Sequence, residues 1–272
     1  PELPKLKNNQ KYIKSAIKYV EKNFPNNYGN TDNFVYPITH SGAKKFLSSF
    51  IKCKLTDFGP YQDAISKENN TLFHSILSSS INIGLLNPID LAKKIEEIGK
   101  PLNSVEGFIR QLFWREYQRY CYIYYDFKGK NYFGNKKKLT KEWYDGSLDI
   151  APVSDAIKRG FDTGYLHHIE RLMIVGNYMN LCEIDPKEGF KWFMEFSVDS
   201  YEWVMHQNVY DMVFFVSGGA TMRRPYASSS NYVLKMSNYK KGKWSEIWTE
   251  KYRDFIKRNR AKLYKFRYYF RL

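Results

Sequence analysis

The sequence predicts a single, mainly α domain, and three observations carry that reading. Apolar residues recur at helical spacing over long stretches, alternating β patterns are scarce, and short Gly/Asn/Pro breakers separate the stretches without a long linker. Taken in chain order, Ile13, Ile17, Val20 and Phe24 place a helix over 10–24. Asn87-Pro88 opens a helix over 87–98, because Asn caps a first turn and Pro fits inside it. Val105, Phe108, Leu112, Trp114, Tyr117, Tyr120 and Cys121 make 104–125 a long aromatic-rich helix, and helical patterns continue over 153–160, 164–182, 186–206 and 245–262. The breakers are Asn26-Asn27-Tyr28-Gly29-Asn30, Phe58-Gly59-Pro60, Lys128-Gly129-Lys130, Asp145-Gly146 and Ser217-Gly218-Gly219. No internal repeat or heptad run is visible, which sets aside solenoids and coiled coils. Residues 1–27 read as a linker and first helix, and 240–272 as a basic C-terminal segment.

A chain of 272 residues that is 43% hydrophobic and 18% aromatic, with ten prolines, can bury a sizeable core, so wholesale disorder is excluded. No apolar run reaches the roughly 18 to 20 residues that cross a bilayer, and the N-terminus has no signal-peptide core, so an intracellular, soluble protein without a membrane partner is expected. Cys53, Cys121 and Cys182 are odd in number and widely spaced, which argues against a disulfide framework or a structural zinc site and for buried reduced thiols. The formal charge is +15, and residues 240–272 hold twelve Lys/Arg against three Asp/Glu. Such an excess suits a polyanion, although a solvated basic tail would have the same composition.

Four stretches mix polarity in ways a plain core does not need. Tyr61-Gln62-Asp63-Ala64 and His74-Ser75-Ile76-Leu77-Ser78-Ser79-Ser80 set hydroxyls beside apolar residues where a helix begins; such groups cap helices or hold phosphate. Gln111-Leu112-Phe113-Trp114-Arg115-Glu116-Tyr117 puts an amide, an indole and an ion pair within two helical turns, suited to helix packing or to a stacked ligand and its phosphates. In Thr163-Gly164-Tyr165-Leu166-His167-His168-Ile169-Glu170-Arg171 the adjacent histidines face different sides of a helix, so they do not grip one metal; one is expected buried and the other in a pocket. Asp199, read as lying inside an aromatic helix, needs a cation such as Arg171 to offset its burial. Arg223-Arg224-Pro225-Tyr226, leading to Asn231-Tyr232, brings cations and phenols together on a Ser-rich loop fit for phosphate contact and base stacking.

In this order, from about Tyr28 to Leu263, these motifs resemble the FAD-binding catalytic domain of the photolyase/cryptochrome family, in particular its bacterial-type (6-4) branch. The segments that carry the resemblance are 58–64, 74–78, 114–117, 164–173, Tyr201-Glu202-Trp203-Val204, Pro225-Tyr226 and Asn231-Tyr232. The resemblance implies the helical FAD-binding fold, with the α/β antenna domain that precedes it in the family missing, so that the chain reads as a catalytic half whose antenna could be a separate polypeptide. It implies FAD held by Tyr61, His74, Ser75, Leu77, Ser78, Gln111, Arg115 and Tyr201, with Arg171 and Asp199 as the ion pair beside its ring. It further implies a catalytic set of His168, His167, Tyr226, Tyr232 and Trp114 and DNA contacts at Arg223 and Arg224.

What the resemblance implies is light-dependent repair of (6-4) pyrimidine photoproducts in UV-damaged DNA, a photolyase-type lyase reaction. The rivals are repair of cyclobutane dimers, against which Gln111 and His168 argue, and a cryptochrome-like light sensor or inactive remnant. Departures from the family pattern matter too. Related bacterial enzymes ligate an iron–sulfur cluster with four cysteines, but the matching places read Pro152, Lys240, Lys243 and Ser245-Glu246, so no cluster is expected and Trp244 and Trp248 should pack that region. Phe193 follows Trp192 where a redox-active Tyr is usual, and Met205 replaces a polar residue beside the flavin; photoreduction would then be slow or rerouted through Trp143 or Tyr144.

Overall fold

The computed structural model describes residues 2–4, 6 and 10–270; the part of the expected N-terminal linker at 1, 5 and 7–9, and residues 271–272 of the basic segment, lie outside the described residues. It contains no sheet among the described residues, only two isolated bridges. The helices are α1 (Gln10–Asn23), α2 (His40–Cys53), α3 (Leu55–Tyr61), α4 (Ser78–Asn82), α5 (Pro88–Ile98), α6 (Leu102–Tyr124), α7 (Glu142–Asp145), α8 (Ala151–Thr163), α9 (Asn177–Leu181), α10 (Pro186–Phe196), α11 (Glu202–Gln207), α12 (Ser230–Met236), α13 (Lys243–Arg258) and α14 (Arg260–Leu263). Two π-helical turns, Glu170–Gly176 and Asn208–Val213, lead into α9 and continue α11.

Local chemistry explains most of the boundaries. The Asn87 side chain accepts from the Ile89 amide and Pro88 opens α5, which stops at Gly99 in the left-handed region. Asp185 caps α10 through the Lys187 amide, again with Pro in the first turn. Thr39 caps α2, whose Ala43, Phe46, Leu47 and Phe50 are buried along one stripe; this helix is missing from the sequence reading although its spacing is regular.

Three sequence expectations need correction. The helix over 164–182 does not begin at 164: Gly164, at φ 65, ends α8, residues 165–167 are irregular, and helix resumes only at 168. The helix over 186–206 is broken at 197–201, so Asp199 sits in the α10–α11 loop, not in a helix. Of the three free cysteines only Cys121 is buried; Cys53 is exposed where α2 ends one turn beyond its last buried residue, and Cys182 is half-buried.

Most buried apolar side chains among the described residues fall into two clusters, apart from a small group of Tyr36, Ile76 and Tyr165. The smaller joins Phe46, Phe50, Leu55, Phe58, Leu91, Ile95, Val105 and Phe108 of α2, α3, α5 and α6. The larger centres on α8, both π turns, α10 and α13, with Trp192, Phe193, Phe214, Trp248 and Phe255 almost wholly buried. Trp244 and Trp248 of α13 pack here with Tyr178 and Tyr239, and the Tyr239 hydroxyl donates to Asp155 of α8 at 2.9 Å. The two π turns touch through Gly176, where a Cβ would stand 2.8 Å from Val213 Cγ2 and 2.7 Å from the Arg171 carbonyl oxygen.

Candidate functional site

A cavity of about 1090 Å³ opens between the two clusters, lined by Phe58 and Phe108 from the smaller and by Ile169, Met173, Phe193, Met205 and Val209 from the larger. Both π turns contribute to its wall, through Arg171, Leu172 and Met173 and through Asn208, Val209, Met212 and Val213. A π turn inserts one residue into a helix and re-aims its neighbours, which is why such turns gather at functional sites.

The inner wall is built on an ion pair. Arg171 Nη2 lies 2.9 Å from Asp199 Oδ1, and Arg171 Nε donates to the Leu166 carbonyl at 2.6 Å. Ser78 Oγ donates to Asp199 Oδ2 at 2.6 Å, the Ser197 hydroxyl donates to Oδ1, and Asn82 holds the Asp199 carbonyl at 3.1 Å. Burial alone would raise the Asp199 carboxyl, but Arg171 and the two hydroxyls outweigh it and hold it below the usual range. Beside it Ile76, a buried β-branched residue, sits at φ 56, a left-handed conformation that costs on the order of 1–3 kcal/mol and directs the 74–78 loop along the wall.

Three histidines form the next section. His74 and His167 are buried and stacked, 4.4 Å between ring centroids and 11° between planes, while His168 is half-exposed and lines the cavity. The adjacent histidines are thus divided between core and pocket, His167 on the irregular stretch and His168 where helix resumes. Ring nitrogens of all three lie within 4.8 Å of one another. Parallel rings, however, cannot aim their in-plane lone pairs at one ion held about 2.0–2.1 Å from each nitrogen, so the stack is not a metal centre. Burial first, and then the neighbouring His168, push His74 down to about 3, even though both its ring nitrogens face carbonyl oxygens of Thr71 and Gln62. Burial and His74 likewise push His167 well below its ordinary value, so the stack is neutral at pH 7.

His168 Nε2 lies 3.3 Å from Asp63 Oδ1, and the hydrogen bond to His168, stronger than the opposing effect of burial, holds Asp63 below the usual carboxylate range. Asp63 lines the same cavity yet received no role from sequence; its place within the Phe58–Ala64 motif was the available signal. Burial, with Asp63 adding to it, pushes the Tyr232 phenol up to about 12, so it remains protonated at neutral pH. Asn208, also unforeseen, accepts from Trp114 Nε1 at 3.3 Å across the cavity.

At the mouth, Arg223 and Arg224 have no carboxylate partner within salt-bridge distance among the described residues. Buried Asp211 fixes the loop that leads to them, accepting from the Ser217 amide at 2.9 Å, the Thr221 amide at 3.2 Å and the Thr221 hydroxyl.

Of the residues singled out from sequence, the cavity is lined by His74, Ser75, Ser78, Gln111, Trp114, His168, Arg171, Asp199, Arg223, Arg224, Tyr226 and Tyr232. Five others lie outside its lining. Leu77 is core, Tyr61 is 48% exposed and stacked on Phe73, Tyr201 precedes α11 at the surface, and His167 lies behind His74. Arg115 bonds Glu116 at 2.7 Å and stacks over Trp203 at 4.8 Å.

No protein-family profile matches the chain. It is 40% identical, over a 270-residue alignment, to the (6-4) photolyase of Agrobacterium fabrum, covering 93% of this chain and 53% of that protein. The crystal structure of a bacterial class III photolyase from Agrobacterium tumefaciens superposes with a TM-score of 0.55 at 17% identity, over 82% of this chain and 56% of the other. A Synechocystis sp. PCC6803 cryptochrome does so with a TM-score of 0.60 at 15% identity, over 89% and 49%. The fold is therefore that of the helical FAD-binding domain of photolyases and cryptochromes. The chain belongs to the photolyase/cryptochrome family, and it spans about half the length of these relatives.

The family implies FAD, and the donor set fits it. Serine hydroxyls at Ser75 and Ser78 suit a phosphate and polyol chain, the Arg171–Asp199 pair suits the polar edge of a flat ring, and Phe193, Met205, Leu172 and Val209 supply its apolar faces.

Proposed function

We propose that this chain is the catalytic half of an FAD-dependent photolyase that repairs (6-4) pyrimidine photoproducts in DNA. One observation carries the reading: a single cavity joins the Arg171–Asp199 pair on its inner wall to His168, Gln111, Trp114, Tyr226 and Tyr232 nearer its mouth. A cofactor ring and a flipped-out nucleotide can then meet within one water-poor space. Bound reduced flavin would supply the electron on illumination; the chain supplies positioning and protons. Arg171, fixed by Asp199 and Leu166, orients the ring. Gln111 and Trp114 receive the two linked pyrimidines of the lesion, His168 gives them a proton, and the Tyr226 and Tyr232 phenols donate hydrogen bonds to them. Asp63 holds His168 in place, and the +15 charge draws the duplex in.

A light sensor is the second reading, favoured by Phe193: this ring stands between Trp192, 5.1 Å away, and the cavity, and it does not accept a hole as Tyr does. The deciding experiment illuminates purified chain, its flavin chemically reduced, with a duplex carrying one (6-4) lesion or one cyclobutane dimer. Turnover of the (6-4) lesion is the expected result. Photochemistry without turnover of either lesion assigns the sensor role, and turnover of the dimer alone assigns the other repair reaction.

A further inference from the structure

Beyond α14 the chain forms an amphipathic strip. Leu263, Phe266 and Phe270 are buried in the larger cluster, so the intervening Tyr264, Arg267, Tyr268 and Tyr269 face outward, with Tyr268 89% exposed. Two tethers hold the strip in register: Lys265 Nζ donates to the Gly218 carbonyl at 2.8 Å, and Lys262 Nζ to the Tyr132 carbonyl at 2.6 Å. Its outer end reaches the cavity, where Tyr269 joins the lining. There the Arg224 guanidinium lies between two rings, 4.9 Å from the centroid of Tyr226 and 4.7 Å from that of Tyr269. Arg267 repeats the arrangement outside, 5.1 Å from Tyr264 and 5.3 Å from Tyr268. Residues 260–270 carry four cations and no carboxylate.

We infer that this strip is a nucleic-acid contact surface, with Tyr269 as a positioning residue that holds Arg224 toward a backbone phosphate of the strand beside the cavity. The inference rests on the DNA reading above and extends it to residues outside the family-like motifs. An Arg stacked between two rings loses its rotational freedom before binding, while its planar N–H fork remains free at the edges to take two phosphate oxygens. Arg267 and Tyr268 continue the same alternation of cation and ring, the pattern by which proteins follow a strand along its phosphates and bases. The phosphate could instead belong to the flavin cofactor, since Arg224 lines the common cavity.

The test measures the affinity of the flavin-loaded chain for a lesion-bearing duplex at several salt concentrations, with flavin content read for every variant. Tyr269→Ala should weaken binding by roughly five- to tenfold, and Tyr269→Phe, which keeps the ring, should restore it. Arg224→Lys, which keeps the charge but not the planar stack, should lose about as much as Tyr269→Ala. In an Arg224→Ala background, Tyr269→Ala should cost nothing more, and flavin content should hold throughout. The inference is overturned if Tyr269→Ala or Arg224→Lys binds within about twofold of wild type, or if the Tyr269 loss persists without Arg224. Loss of flavin from Arg224→Ala also overturns it by giving the phosphate to the cofactor. Wild-type chain without salt-dependent affinity for the duplex would sink the DNA reading itself, and the inference with it.

Discussion

The inner wall and the mouth of the cavity hold their charges in opposite ways. Inside, Arg171 and Asp199 are 16% and 9% exposed and neutralise each other, with each carboxylate oxygen bonded again by a serine. At the mouth, Arg223 and Arg224 face no carboxylate among the described residues, and Arg224 is restrained by aromatic rings instead. A cancelled, buried pair fixes geometry and is nearly indifferent to salt, whereas uncancelled surface cations attract at a distance and fade with ionic strength. One cavity can thus keep a cofactor permanently and a substrate reversibly.

The largest expected effect is on the inner wall. Asp199→Ala leaves Arg171 buried without its partner, a loss of roughly 3 to 5 kcal/mol, and should release flavin and lower the unfolding temperature. Normal flavin absorbance in that variant would remove the pair from the ring. Because Asp199 is held below the usual carboxylate range, its stabilisation is complete above the unfolded pKa and is lost as pH falls through the still lower folded value.

His168→Asn comes next: flavin and damaged-DNA binding should survive while (6-4) repair falls by about 10² to 10⁴. A loss under about tenfold moves the proton to Tyr226, the nearer alternative at the cavity; His167, the other residue with that role by resemblance, is walled off behind His74.

A smaller effect should appear without any ligand. As pH falls below 6.5 the unfolded chain takes up a proton at position 74 that the folded chain refuses until about 3, so stability should decline across that window. Urea melts between pH 7 and 5 measure it, and His74→Gln should flatten the slope; an unchanged slope would mean that the His74–His167 stack is charged. The smallest effect belongs to the mouth, where Arg223→Ala should reduce the salt dependence of duplex binding by about one phosphate contact. If Arg223→Ala changes flavin retention more than the salt slope, the division between wall and mouth fails.

Much of this was legible in the residues because helices announce themselves by spacing and caps. Apolar repeats locate α1, α5 and α6 within a residue or two, and Asn87-Pro88 marks the start of α5. Asp199 was harder: flanking aromatics at 193, 196 and 203 keep a helical spacing through the 197–201 break, so periodicity runs across a loop it cannot detect. The π turns have no residue signature at all, since one inserted residue shifts the register without changing composition; Asn208 went unnoticed for that reason. Arg115 reads as a ligand from its motif but turns to Glu116 and Trp203, a choice made by neighbours on its own helix and on α11. The strip ending in Tyr269 was visible only as charge, because its use depends on a ring meeting an arginine 45 positions earlier in the chain.

Gly176 gives the cavity a mechanical tolerance. With only a hydrogen at that position, Val213 and the carbonyl of Arg171 close in to distances no methyl could share. The spacing between the turn that carries Arg171 and the turn that carries Asn208 is therefore gauged by a missing atom, and a side chain added there acts as a shim. Gly176→Ala would prise the two turns apart by pressing a methyl against Val213 and the carbonyl of Arg171, both of them residues that line the pocket.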